Sequence, residues 1–238
     1  MRSAPDVPAA LLDGASRPYR CAGKFAYHFA RGKLRGDPVY EAILSRGLLQ
    51  GRSRVLDLGC GQGLLTAWLR AAEHCFAAGA WPASWAGAPR AVSIRGIELM
   101  AHDVECARRA LGPDVDIVHA DICQAAFGSA DAVVILDVLH YLRAASQLPV
   151  LQRVRAALPD DGLLLVRVGD AAAGLRFRYG QCIDRTMMLA RGRGWAAMHC
   201  RSVEQWRQLL TDSNFDSRVL PMSQGTPFAN ALLIARAR

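Results

Sequence analysis

No apolar run in this sequence approaches the ~20 residues that a membrane span requires, so no span is expected. The opening residues, Met1-Arg2-Ser3-Ala4-Pro5-Asp6, lack a signal-peptide core, and we expect a cytoplasmic protein. None of the seven cysteines forms a Cys-x-x-Cys pair, and their number is odd. That argues against a disulfide framework and against a zinc site, so no metal is expected. Lysine is nearly missing: Lys24 and Lys33 are the only two among 29 basic residues. The arginines still leave a formal charge of +8, which permits nucleic acid, acidic proteins or anionic substrates as partners without choosing among them. There is no internal repeat and no low-complexity tract. With 238 residues, 52% of them apolar, the chain can bury one sizeable core as one domain with additions.

What is present is organised around Val55-Leu56-Asp57-Leu58-Gly59-Cys60-Gly61-Gln62-Gly63. Two apolar residues lead into an acid, glycine recurs at every second position, and Leu64 to Arg70 continues at helical spacing. This predicts a buried strand, a tight turn and a helix start. Glycine lets backbone approach a ligand that a Cβ would block, and a new helix offers unpaired N–H groups. A dinucleotide site would want Gly-x-Gly-x-x-Gly, but Leu64 stands where the third glycine belongs. Asp57 is also badly placed for a pyrophosphate and well placed for an ammonium. Cys60 fits the turn as a small residue.

This acid-led Gly-x-Gly-x-Gly string resembles motif I of the class I S-adenosylmethionine (SAM) methyltransferases. The resemblance runs at motif level from about Arg54 to Val168 and is closest to bacterial enzymes acting on small molecules. It implies a Rossmann-like α/β three-layer sandwich with a mostly parallel seven-stranded sheet and an antiparallel terminal hairpin. It implies SAM as cofactor, released as S-adenosylhomocysteine. Asp57, Gly59, Cys60, Gly61, Gln62 and Gly63 would cradle its methionine end. Glu98, ending the second strand (Val92 to Ile97), would accept both ribose hydroxyls, with Leu99 and Met100 as an apolar wall. Asp121, ending the third strand (Val115 to Ala120), would accept from the adenine amino group, with Ile122 against the ring. Asp137, ending the fourth strand (Ala132 to Leu136), would lie beside the methionine moiety. Each acid taken singly also reads as a helix cap or a solvated charge.

Around this centre, residues 1–18 read as a flexible tail and 19–238 as a single methyltransferase domain. Residues 19–49 read as two short helices broken near Gly36-Asp37-Pro38, either covering the cofactor cleft or closing the sheet edge. The stretch Glu73 to Ala91, with Trp81 and Trp85, reads as an insertion on the side away from ligands, since ligands bind beyond the carboxyl ends of the strands. Residues 169–199 carry Arg176, Arg178, Arg185, Arg191 and Arg193 among aromatic residues and methionines. They read as a second cover over the acceptor pocket or as a solvated basic surface. A helix from about Leu148 to Leu158, a fifth strand Leu163 to Val168, a helix opening at Ser202 and a final pair of strands complete the pattern.

Methyl transfer needs alignment and exclusion of water, and a base only where the nucleophile must lose a proton. His140 is the first candidate as base or orienter and His28 the second. Tyr141, Tyr19 and Tyr27 could orient an acceptor, and a plain structural role stays open for each. The Asn/Asp-Pro-Pro-Tyr/Phe string of nucleic-acid amino-methyltransferases is absent, Asp137-Val138-Leu139-His140 standing there, and no RNA-binding module is visible. The expected acceptor is therefore a small molecule, methylated on a phenolic or carboxylic oxygen. It could be carried on an acidic acyl carrier protein, which the basic charge would suit. The alternatives are methylation of RNA or protein and a SAM-binding scaffold without catalysis. Oligomeric state is not legible.

Overall fold

The computed structural model describes residues 7–90, 92–177, 180–182, 198–224 and 226–238. A seven-stranded sheet runs in the order β3-β2-β1-β4-β5-β7-β6, with helices around it. The strands are β1 (Arg54–Leu58), β2 (Ser93–Glu98), β3 (Ile117–His119), β4 (Ala132–Leu136), β5 (Leu163–Gly169), β6 (Phe215–Pro221) and β7 (Asn230–Ala237). β1 pairs with β2 and β2 with β3 in parallel, whereas β5 with β7 and β6 with β7 are antiparallel. The expected Rossmann-like sheet and its antiparallel final hairpin are both present. Buried on both sides, β4 and β5 are almost wholly apolar, the pattern of a sheet covered on two faces. The chain divides into two compact units: Met1–Ala126 with Ala130–Ala132, and Phe127–Ser129 with Val133–Arg238.

In the first unit, α1 (Ala9–Ser16), a 3₁₀ turn (Arg17–Ala22), α2 (Lys24–Gly36) and α3 (Pro38–Ser45) precede β1. Of the expected flexible tail at 1–18, residues 1–6 lie outside the described residues. From Ala9 the chain is helical, and Leu11, Leu12, Ala15 and Ser16 are buried, with Gly14 lying against Ala71 of α4 (Leu64–Ala77). Leu11 and Leu12 are the only large apolar residues of this short stripe, too few to show a visible periodicity beside the prolines. The break at Asp37-Pro38 is as expected: Pro38 opens α3 and the Asp37 carboxylate accepts the Val39 N–H at 3.1 Å. Trp68 on α4 is fully buried and donates its indole N–H to the Tyr40 carbonyl at 2.9 Å. α4 continues to Ala77, further than the sequence suggested, and the tryptophan insertion packs on itself. Trp81 meets Phe76 and Trp85 edge-on and donates to the Ala86 carbonyl at 2.8 Å.

α5 (Ala101–Leu111) connects β2 to β3. β3 is shorter than expected, pairing only over Ile117–His119. In the second unit, α6 (Ala144–Ala157) starts about a turn before the expected Leu148, with Pro149 inside the helix. α7 (Val203–Asp212) opens as expected at Ser202, which forms a capping box with Gln205. Most of the expected second cover at 169–199 lies outside the described residues.

One close approach fixes the geometry of the glycine turn. Gly96 stands opposite Asp57 in the β1–β2 register. A Cβ built on it would lie 2.6 Å from Cys60 Sγ and 3.1 Å from Ile117 Cγ1. Both neighbours are buried and cannot swing away. We therefore expect Gly96→Ala to lower stability by about 1–3 kcal/mol through overpacking, measured by urea unfolding. Cys60→Ala should restore part of the loss, because it removes the nearest atom.

Candidate functional site

The glycine turn leaves β1 and is stitched to the end of β2. Gly59 N–H and Cys60 N–H both donate to the Ile97 carbonyl, at 2.8 and 3.2 Å. Gly59, Gly61 and Gly63 are all left-handed, a backbone that side chains rarely adopt. Gly63 caps α4, and a Cβ there would come within 2.9 Å of Leu111 Cδ1. Gly61 is different: a Cβ on it would meet nothing within 4 Å. Protein packing does not require a glycine at 61, so the turn has an open side there.

Stitching β2 to the turn brings its terminal acid into the turn. Glu98 accepts Gly61 N–H at 2.9 Å on Oε2 and its own loop's Met100 N–H at 2.8 Å on Oε1. Each carboxylate oxygen keeps a second lone pair. Asp57 is only 4% exposed, and among the described residues nothing donates a hydrogen bond to its carboxyl. Burial first, then the nearby Glu98 charge, push its pKa up to about 7. Burial likewise pushes the Cys60 thiol far above its ordinary value, so Cys60 is an inert packing residue. Leu99 is half exposed, Met100 partly buried and Ile122 buried. Asp121 follows β3, whose end is tied to β2 by Ala120 N–H donating to the Glu98 carbonyl at 3.0 Å. Its Oδ1 accepts Cys123 N–H at 2.8 Å, the capping contact that an acid at a strand end readily makes.

The turn has a support that the sequence did not announce. Tyr19, 0% exposed, donates its hydroxyl to the Gln62 carbonyl at 2.8 Å, and Gln62 Nε2 donates to Asp103 Oδ1 at 3.1 Å. Tyr19 was a candidate for orienting an acceptor; its burial beneath the turn rules that out. The Gln62 Oε1 is buried without a partner among the described residues. His28 lies on the exposed face of α2, its ring edge-on to Tyr27 at 5.1 Å.

The second unit assembles a different group. Asp137 ends β4 in a left-handed backbone conformation, φ 59°. It is held by Arg167 of β5, whose Nε donates to Oδ1 at 2.8 Å and whose Nη2 donates to Oδ2. Arg167 is only 2% exposed; a guanidinium among leucines and valines is tolerated because this pairing is bidentate. His140 sits in the 3₁₀ turn Leu139–Tyr141, 8% exposed, with its ring 4.1 Å from that of Tyr141. Its Nε2 is buried and unpartnered among the described residues. Burial lowers its pKa, the Asp137 charge opposes this and the Arg167 charge adds to it, so the imidazole is neutral near pH 7. Gln147, fully buried, donates to the carbonyls of Leu139 and His199 at 3.1 and 2.9 Å and accepts from Arg201 Nε at 2.6 Å. The His199 N–H donates to the His140 carbonyl at 2.7 Å. Arg167 and Gln147 were missed; the one available signal was a charge interrupting the apolar run Leu163 to Val168.

These features fit a cationic ligand at the turn: a buried carboxylate with no donor, an open glycine and a second acid able to accept hydroxyls. Among the described residues no cluster of three potential ligands could hold a metal ion, and no helix is long and apolar enough to cross a membrane.

The family model described as a methyltransferase domain matches residues 17–218, and the chain belongs to that family. It resembles the carboxy-S-adenosyl-L-methionine synthase of Chromohalobacter salexigens, with 32% identity over 143 residues, 56% of this chain and 48% of that one. The chain thus spans about half the length of that relative. Among solved structures, an O-methyltransferase family protein from Burkholderia thailandensis is 17% identical with a TM-score of 0.62, over 92% of this chain and 61% of that one. The O-methyltransferase NcsB1 from neocarzinostatin biosynthesis, solved with SAM and 2-hydroxy-5-methyl naphthoic acid, is 21% identical with a TM-score of 0.60, over 95% and 60%. At such identities the likeness establishes the fold.

The raised Asp57 pKa makes a signed prediction. Between its ordinary 3.8 and about 7 the folded protein holds a proton that the unfolded chain has released. The stability of the ligand-free protein must therefore fall as pH rises through that window. In thermal melts across it, Asp57→Asn should flatten this dependence.

Proposed function

We propose that this chain transfers the methyl group of SAM to an oxygen of a small-molecule acceptor, a phenol or a carboxylate, in a bacterial biosynthetic pathway. The observation that carries the reading is the buried Asp57 carboxyl without a donor among the described residues, its charge interacting with that of Glu98, in the strand that leads into a glycine turn where a Cβ at Gly61 would meet nothing. In this reading Asp57 faces the cofactor's ammonium and Glu98 accepts its ribose hydroxyls. Leu99, Met100 and Ile122 flank the adenine, Asp121 accepts from its amino group, and Asp137 stands by the methionine end. Bound SAM supplies a methyl on a sulfonium, open to displacement by an oxygen nucleophile. A phenol must shed its proton, and neutral His140 can take it at Nε2; a carboxylate needs no base, and His140 would then orient it. The Tyr141 ring lies tilted against that of His140, and His28 is the reserve candidate on the N-terminal helices, which act as the acceptor cover. An acceptor carried on an acidic acyl carrier protein would match the surplus of arginine.

A second reading has one observation in its favour, the 32% identity to a carboxy-S-adenosyl-L-methionine synthase. Its product would be a carboxylated cofactor and not a methylated acceptor.

The test is transfer of labelled methyl from SAM into a bacterial lysate, separated into RNA, protein and small molecules, with the recovered cofactor weighed by mass spectrometry. Label should appear among small molecules or on a carrier protein and vanish with Glu98→Ala. Label in RNA or in other proteins would overturn the acceptor class, and a cofactor gaining the mass of a carboxylate would favour the second reading. With a phenolic acceptor, His140→Ala should lower kcat by about 10²-fold with little change in S-adenosylhomocysteine affinity.

A further inference from the structure

The Gln62–Gly63 peptide sits in a backbone that is intrinsically easy to turn. Gly63, which bounds it, and Gly61, one residue before it, are both left-handed, φ 75° and 54°, and glycine visits either sign of φ at small cost. Two hydrogen bonds fix this peptide. Its N–H, that of Gly63, donates to the Cys60 carbonyl at 3.0 Å from within the turn. Its carbonyl, that of Gln62, accepts the Tyr19 hydroxyl at 2.8 Å, a bond between residues 43 apart in the chain. The Tyr19 ring is fully buried in the 3₁₀ turn Arg17–Ala22, and its burial raises the phenol pKa well above the ordinary value, so it stays a donor. The next helix is tied to the same short segment, Arg31 donating to Asp13 and to Ser16 Oγ.

We propose that Tyr19 is a positioning residue for the cofactor turn: its hydroxyl sets the Gln62–Gly63 peptide plane, so the N-terminal segment shapes the turn from outside the motif. This rests on the reading of the glycine turn as the SAM site. Tyr19 needs no contact with cofactor or acceptor. It acts by keeping the turn in the form that leaves the Gly61 side open and the Gly61 N–H on Glu98. Without the hydroxyl, the Gln62 carbonyl is a buried acceptor with no donor, and the peptide is held at one end only.

Tyr19→Phe tests this, because it keeps the ring and deletes the oxygen. S-adenosylhomocysteine binding by calorimetry should weaken by about tenfold. In the ligand-free protein, amide exchange should quicken at Gly61, Gln62 and Gly63 while β5 and β7 keep wild-type protection. Gln62→Ala preserves the carbonyl, so Tyr19→Phe should cost the same factor in that background. An affinity within twofold of wild type would overturn the proposal, as would exchange rising uniformly through the chain, the mark of a merely structural role. Loss of the Tyr19→Phe effect in the Gln62→Ala background would overturn it too. Failure of the wild-type protein itself to bind S-adenosylhomocysteine would sink the cofactor reading, and the proposal with it.

Discussion

The two hydrogen bonds from Gly59 and Cys60 to the Ile97 carbonyl are the constraint on which the first unit depends. They fasten the turn after β1 to the last residues of β2. The fastening is possible only because Gly96 leaves room for the Cys60 side chain. Once it is made, Glu98 has no choice of neighbour: its carboxylate meets Gly61 N–H on one oxygen and Met100 N–H on the other. Asp57, one register step from Leu58 and Ile97, is then enclosed without a donor. The acidic character of the turn thus follows from strand pairing and one missing Cβ.

A comparable logic governs the second unit, with charge in place of space. Arg167 is buried in a strand of leucines and valines, where an unpaired guanidinium would be very costly. Asp137 answers it with both oxygens and adopts a left-handed backbone that a non-glycine residue seldom takes. The next turn then carries His140. With Arg167 offsetting the Asp137 charge, burial decides the protonation of the imidazole and leaves it neutral. Gln147 ties the carbonyls of Leu139 and His199 together, which fixes the main chain on either side of the ring.

How much of this was legible in the sequence depended on chain distance. The strand, glycine turn and helix from Val55 to Arg70 could be read because their signals are local, and Glu98 because it ends the next strand. The parallel part of the sheet followed from mostly apolar strands alternating with helices, whereas the antiparallel hairpin followed only from the family resemblance. The pairings of Arg167 with Asp137 and of Tyr19 with Gln62 were not legible: each bond joins residues 30 or more apart, and the charge that interrupts the apolar run at Arg167 does not name its partner. Residues 9–16 were misread because a helix of alanine, leucine and serine shows its stripe only when α4 is there to bury it.

Electrostatics then chooses between the two ligand classes that such a turn could serve. A pyrophosphate would bring negative charge to a turn where Asp57 already has its pKa raised to about 7 by burial and by Glu98. Each added negative charge would raise it further, and the α4 N-terminus alone would have to compensate for both. That contribution is a fraction of a charge. An ammonium and a sulfonium carry the opposite sign, and under the proposed reading the ammonium would favour the ionised Asp57 carboxyl and offer it a donor. The absence of glycine at Leu64 argues against a dinucleotide on packing grounds. The buried acid reaches the same conclusion independently, by charge.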